Sequence, residues 1–480
     1  MTTKRVFISA DHGLAIVYFL QSDVVSDLLG AGIEIVLLTD DGLKERIQNT
    51  FGQNGLVIEG LRLKQARAYF RDENQHAQWW LDFLRRAGAS NKINLEAVDS
   101  YIYQVEDEAH RRRKMLFPAM KSVVGVMRRS RSARQTVLKM QNKYTSTIYA
   151  DLFERYQPQM VIASTPGWRW DRYLLRESAA RGIPNTAVIV GWDNTSSYSL
   201  PGAHVDWVTC WSEIQKQELV LGSDWDPERV KIGGIPSYDG YFRKKWLMPK
   251  KDYYRLHRLD PDRKLISYAC SFISFSPNIQ NIETLAKLVE SDLLAKPSQL
   301  LVRLHPNHFM DVPRFIAERE QIRQLASKLP HVHVVEPVPL GGDLGYYSGE
   351  DMPEKSSMMN YSDVFTTVYS TMVVEAAAHG VPVVSVCIDS PVGWPGKFTL
   401  PLSVIGGWPT HSRFRDSGAG RVALDENQLL QSLNYYLENP KVDREKRYQF
   451  IQQECTYDDG SAGHHTSMNL LALLGIDRDQ

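Results

Sequence analysis

Short β-rich apolar runs alternate with stretches of helical apolar spacing along most of this chain. Residues 6–10 read as a strand, Asp11-His12-Gly13 as a turn, and 16–29 as one helix stopped by Gly30-Ala31-Gly32. Residues 33–38 then form the next strand, so the chain opens on a strand–helix–strand unit. Runs at 158–164, 185–191, 207–211 and 230–234 continue the series, with helices over 171–181 and after Ser212. The pattern predicts a Rossmann-like α/β domain over residues 1–240. Within it, residues 69–155 break the alternation and read as a mostly helical insertion, divided by Pro118 and Gly125. Residues 235–261 read as a crossover, after which strands recur at 264–270, 299–304, 332–335, 364–368 and 381–388. Helices are expected at 282–294, 373–379, 425–438 and 443–454. This predicts a second Rossmann-like domain over 241–455. Residues 456–480 form a tail whose helix, over 459–474, is expected to fold back on the first domain.

Composition narrows the class. At 480 residues the chain is too long for one ordinary core, which agrees with two domains. Lys plus Arg equals Asp plus Glu, so no overall field argues for nucleic acid. The N-terminal apolar run is too short for a signal peptide, and no run is long enough to span a bilayer, so a cytoplasmic protein is expected. Cys210, Cys270, Cys387 and Cys455 lie far apart, which favours buried free thiols over disulfides or zinc.

The densest chemistry lies in residues 360–389, NYSDVFTTVYSTMVVEAAAHGVPVVSVCID. Ser370 and Thr371 fall where a helix begins, and unpaired N–H groups there bind phosphate well. Glu375, about one and a half turns on, can accept hydrogen bonds from a ribose diol. A cap at Ser370 and a solvated Glu375 are the alternative for this stretch alone. Ser271, Arg303 with His305, and Ser370–Glu375 follow three strands of one parallel sheet and share its carboxyl edge. Arg303 and His305 beside a helix start would make a cationic socket for a diphosphate. Asp11 and His12 follow the first strand, where catalytic groups of open α/β sheets sit, although a structural histidine is the alternative. Inside the insertion, Arg111, Arg112, Arg113, Lys114, Lys121, Arg128, Arg129, Arg131, Arg134, Lys139 and Lys143 interleave with apolar residues. They form either a solvated helical face or a patch for anionic lipid head groups or a phosphorylated acceptor.

Several segments resemble the two-domain nucleotide-sugar glycosyltransferases called GT-B. The nearest likeness is to a bacterial group of glycosyltransferases, with a more distant one to CDP-glycerol glycerophosphotransferases. The residues that carry it are GWDNTSSYSLPGAHVDWVTCWSEIQKQELV, VKIGGIPSYDGYF, YACSFISFSPN, VRLHPN and YSTMVVEAAAHGVPV, in that order. The resemblance implies two Rossmann-like domains facing a central cleft. It implies a donor site with Ser370 and Thr371 on phosphate, Glu375 on ribose, and Arg303 and His305 near the diphosphate, with Ser271 also on the donor side. On the acceptor side it implies a base from the first loop, Asp11 or His12; a histidine suits neutral pH, with Asp11 or Asp193 then as orienter or competitor and Asn194 nearby. It further implies an inverting transfer from a nucleotide-sugar to a cell-surface glycan or lipid-linked acceptor, at the inner face of a membrane. No convincing DxD loop is present, which agrees with metal-independent chemistry, and no cofactor is expected. A CDP-glycerol-type transferase, a non-hydrolysing sugar epimerase and a non-catalytic membrane-bound scaffold are the rival readings.

Overall fold

The computed structural model describes residues 4–271, 278–291, 293–341, 348–389 and 400–476. The chain divides into two compact units, one built on residues 4–239 and 455–476, the other on 240–340 and 348–454.

In the first unit seven strands pair in parallel: β1 (Arg5–Ser9), β2 (Glu34–Thr39), β3 (Leu56–Gly60), β4 (Met160–Ala163), β5 (Asn185–Val188), β6 (Trp207–Cys210) and β7 (Val230–Ile232). Their spatial order is β3-β2-β1-β4-β5-β6-β7. The order reverses at β1, whose Ser9 lies opposite Leu38 of β2 and Ala163 of β4. The loops after β1 and β4 therefore open at the topological switch point, where open α/β sheets bind their ligands. The apolar stretch expected as one helix is two, Gly13–Leu20 and Asp23–Gly30, bent by 46°. Ser22 causes the break: its hydroxyl accepts from the Val24 N–H at 3.2 Å and starts a second helix. The pair buries Ile16, Val17, Phe19, Val24, Val25 and Leu28. Among the described residues no single helix is long and apolar enough to cross a membrane.

The insertion is mostly helical, with helices at Gln75–Ala87, Glu96–Glu108, Phe117–Arg129 and Arg131–Gln141 among them. Pro118 stands in the first turn of its helix, where its missing N–H costs nothing. Gly125, expected as a break, lies inside the same helix. Leu81, Phe83, Leu84, Ile102, Phe117, Val124, Met127 and Val137 close a separate apolar core there. The last helix, Ala462–Leu473, belongs to the first unit, and Asp239 caps it by accepting from the Ala462 and Gly463 N–H groups at 3.1 and 2.7 Å.

The second unit holds six parallel strands: β8 (Lys264–Ala269), β9 (Ser298–Arg303), β10 (Val332–Val335), β11 (Val364–Thr367), β12 (Val383–Val386) and β13 (Arg421–Ala423). They run β10-β9-β8-β11-β12-β13, so this sheet reverses between β8 and β11. Ala269 lies opposite both Arg303 and Thr367, which sets the ends of β9, β8 and β11 side by side. The four cysteines are free and buried.

Candidate active site

At the switch point of the first sheet, the turn after β1 carries a histidine hydrogen-bonded to an aspartate. His12 holds the N-cap position of the Gly13–Leu20 helix in extended conformation, φ −165°, but its ring does not cap. Instead Nδ1 lies 2.5 Å from Asp11 Oδ1. Asp11 is fully buried and also accepts from Ser164 Oγ at 2.8 Å and Arg169 Nε at 3.1 Å. Burial alone would raise the pKa of Asp11, but Arg169, His12 and Ser164 outweigh it and hold the carboxyl below its usual range. His12 is pushed below its ordinary 6.5, chiefly by burial and further by Arg169, with Asp11 opposing. The ring is therefore neutral at pH 7. Nδ1 donates to an ionised carboxylate, and the lone pair is left on Nε2. The side chain keeps 13% of its surface exposed. This arrangement suits a general base.

Behind it, Asp171 is fully buried and accepts from the Thr165 N–H at 3.0 Å and Thr165 Oγ1 at 2.7 Å. Burial, and then the nearby Asp11 charge, lift its pKa well above the ordinary 3.8. A proton held more tightly in the folded state means that stability falls as pH rises from about 4 through the raised value. Thermal melts across that range are expected to show this decline, and Asp171→Asn to flatten it. Asp193 precedes the short helix Asn194–Ser197 and accepts from Ser197 Oγ at 3.2 Å, and burial raises its pKa. The Asn194 side chain packs so closely that a Cβ at Gly191 would sit 2.6 Å from it, and a larger residue there would displace that amide.

The second unit brings its expected residues to one sheet edge. After β11, Tyr369 adopts φ +28°, a left-handed conformation costing on the order of 1–2 kcal/mol for a residue with a side chain. Ser370 and Thr371 follow and open the Met372–Ala378 helix, with Ser370 Oγ accepting from the Met372 N–H at 3.3 Å. The Ser370 and Thr371 N–H groups have no acceptor among the described residues. Glu375 is 6% exposed and is neither solvated nor free. Its Oε2 takes both the Lys355 ammonium at 2.6 Å and the Tyr241 hydroxyl at 2.5 Å. No hydrogen bond to Oε1 is present among the described residues. After β8, the Ser271 N–H donates to Asn278 Oδ1 at 3.0 Å and its carbonyl accepts from Asn278 Nδ2 at 3.1 Å. The loop expected from Ser271 onward continues into residues 272–277, which lie outside the described ones.

One expectation needs correcting: Arg303 and His305 do not form a cationic socket. Arg303 is buried and ion-paired with both Asp351 and Glu354. His305 caps the turn Pro306–Phe309, its Nδ1 accepting from the Asn307 N–H at 3.1 Å. Burial, then His308 and Arg303, push it down to about 3, so it is neutral. Among the described residues, Arg303 and Lys355 face the carboxylates of Asp351, Glu354 and Glu375, so these five side chains carry no net positive charge. Among the described residues, the N–H groups of Ser370 and Thr371 and the dipole behind them are left for an anion.

Sequence reasoning missed Arg169, Tyr241, Asn278, Asp351, Glu354 and Lys355. Asn278 and Tyr241 stand inside the segments FSPN and SYDGYF, where the resemblance could have singled them out. Lys355 lies on the helix Met352–Tyr361, which has almost no amphipathic pattern to announce it. Among the described residues no group of three or more His, Cys, Asp or Glu side chains is placed to hold a metal ion.

No protein-family model matches this chain, and no curated protein does. Solved structures do. A Listeria monocytogenes protein described as a UDP-N-acetylglucosamine 2-epimerase aligns over 100% of this chain and 99% of its own, with a TM-score of 0.56 and 13% identity. The UDP-GlcNAc 2-epimerase of Neisseria meningitidis, bound to UDP-GlcNAc, covers 98% and 100% at TM-score 0.52 and 13% identity. A glycosyltransferase from Rickettsia africae covers 98% and 99% at 0.51 and 11%. These likenesses show the fold: two Rossmann-like domains, as in GT-B glycosyltransferases and UDP-N-acetylglucosamine 2-epimerases.

Proposed function

We propose that the protein is an inverting glycosyltransferase that moves a sugar from a nucleotide-diphosphate donor to a hydroxyl of a cell-surface glycan or lipid-linked acceptor. The observation that supports this most is the Asp11–His12 pair: a neutral, partly exposed imidazole held through Nδ1 by a buried, ionised carboxylate. In the reaction, His12 Nε2 takes the acceptor hydroxyl proton as that oxygen attacks the anomeric carbon. The bond from that carbon to the diphosphate breaks, and the electron pair leaves with the nucleotide. Asp11 stabilises the imidazolium that forms. In the second unit, the Ser370 and Thr371 N–H groups receive the departing diphosphate, and Glu375 Oε1 accepts from a ribose hydroxyl.

One observation favours a second reading, a sugar epimerase. His12 is shifted down and Asp193 up, so a neutral imidazole and a carboxyl that holds its proton more tightly can act as base and acid on one substrate. Labelled UDP-, GDP-, CDP- and dTDP-sugars, each incubated with and without an acceptor glycan, separate the two. The transferase reading expects free nucleotide diphosphate only when acceptor is present. A C2-epimerised donor forming without acceptor, with solvent deuterium entering at C2, would replace it by the epimerase.

A further inference from the structure

The proposed chemistry leaves one surface of the first unit unused: the helix Phe117–Arg129 and the turn before it. The helix buries Phe117, Val124 and Met127 in the insertion's core. Leu116, Ala119, Val123 and Val126 recur at spacings of three and four and form a second apolar stripe that is exposed among the described residues. Leu116 is 46%, Val123 40% and Val126 58% exposed, and Met115 beside them 78%. A face that was merely solvated would be polar at these positions.

Charge surrounds the stripe with one sign. Between Glu108 and Asp151 the sequence has no acidic residue, although the whole chain is balanced. Lys121 and Arg128 are matched by Glu106 and Asp99 of the neighbouring helix, Arg134 is matched by Asp224, and Arg113 lies over the Trp79 ring. Arg111, Arg112 and Lys114, next to Met115, are exposed, as are Arg129, Arg131, Lys139 and Lys143. None of these seven has an acidic partner among the described residues.

We propose that this surface docks on an anionic membrane leaflet, with Met115, Leu116, Val123 and Val126 entering the head-group boundary and Arg111, Arg112 and Lys114 meeting lipid phosphates. The apolar stripe and the cations are both used only there. A second copy of the chain would set the same cations against each other. A nucleic acid would leave the stripe in water. The proposal does not depend on the transferase reading.

Flotation with phosphatidylglycerol–phosphatidylcholine vesicles, against phosphatidylcholine alone, tests it on the full chain. Wild type is expected to float with the anionic vesicles and to be released by high salt. Met115→Ser/Leu116→Ser and Arg111→Ala/Arg112→Ala/Lys114→Ala are each expected to weaken binding about tenfold or more. These residues lie outside the buried core, so unchanged melting curves should accompany the loss. Three results would overturn the proposal. Wild type could stay off the anionic vesicles. Both variants could bind as wild type does. Sedimentation velocity could show a dimer that Met115→Ser/Leu116→Ser dissociates.

Discussion

His12→Ala is expected to slow turnover about 100- to 10,000-fold, the range for losing a positioned general base. Donor affinity is expected to stay close to wild type, because the nucleotide is assigned to the other unit. Steady-state kinetics with calorimetry of nucleotide diphosphate binding reads both at once, and the loss should fall on kcat. In wild type the acid limb of the rate profile should lie below pH 6.5, the ordinary histidine value, because His12 is shifted down. Asp11→Asn should also lower turnover, since the amide neither fixes the Nδ1–H tautomer nor balances an imidazolium. A His12→Ala enzyme as fast as wild type would remove this base and turn attention to Asp193.

Glu375→Ala is expected to damage both stability and binding. It removes the carboxylate that lies 2.6 Å from the Lys355 ammonium, a group nearly sealed from water. Breaking a buried ion pair on one side costs about 3–5 kcal/mol. Lys355→Met/Glu375→Leu removes both charges and should recover most of that stability in a denaturant melt. It should not recover nucleotide binding, since no carboxylate is left for the ribose. A double variant that is stable and binds as wild type does would take Glu375 out of the site.

The central strands of both sheets were legible because they are buried on both faces and read as unbroken apolar runs, as at Val6-Phe7-Ile8 and Leu300-Leu301-Val302. The edge strands β3 and β13 were not. Val57 is exposed, and β13 has three residues, so neither carries a full apolar pattern. The turn residues Asp11, His12, Ser370 and Thr371 were readable from position alone, since βα junctions place them at the carboxyl edge. Their electrostatics were not. Arg303 looks like a free cation in the sequence VRLHPN, yet Asp351 and Glu354, about fifty residues on, cancel it. Glu375 looks solvated until Lys355 and Tyr241 are brought to it from two other helices. Spacing along one chain shows which side chains reach an edge, and only the fold shows which charges meet there.

Crystals of the protein grown with a nucleoside diphosphate test the account most directly. The diphosphate is expected on the Ser370 and Thr371 N–H groups, with a ribose hydroxyl on Glu375 Oε1. A nucleotide lodged elsewhere, with Ser370 and Glu375 untouched, would contradict it.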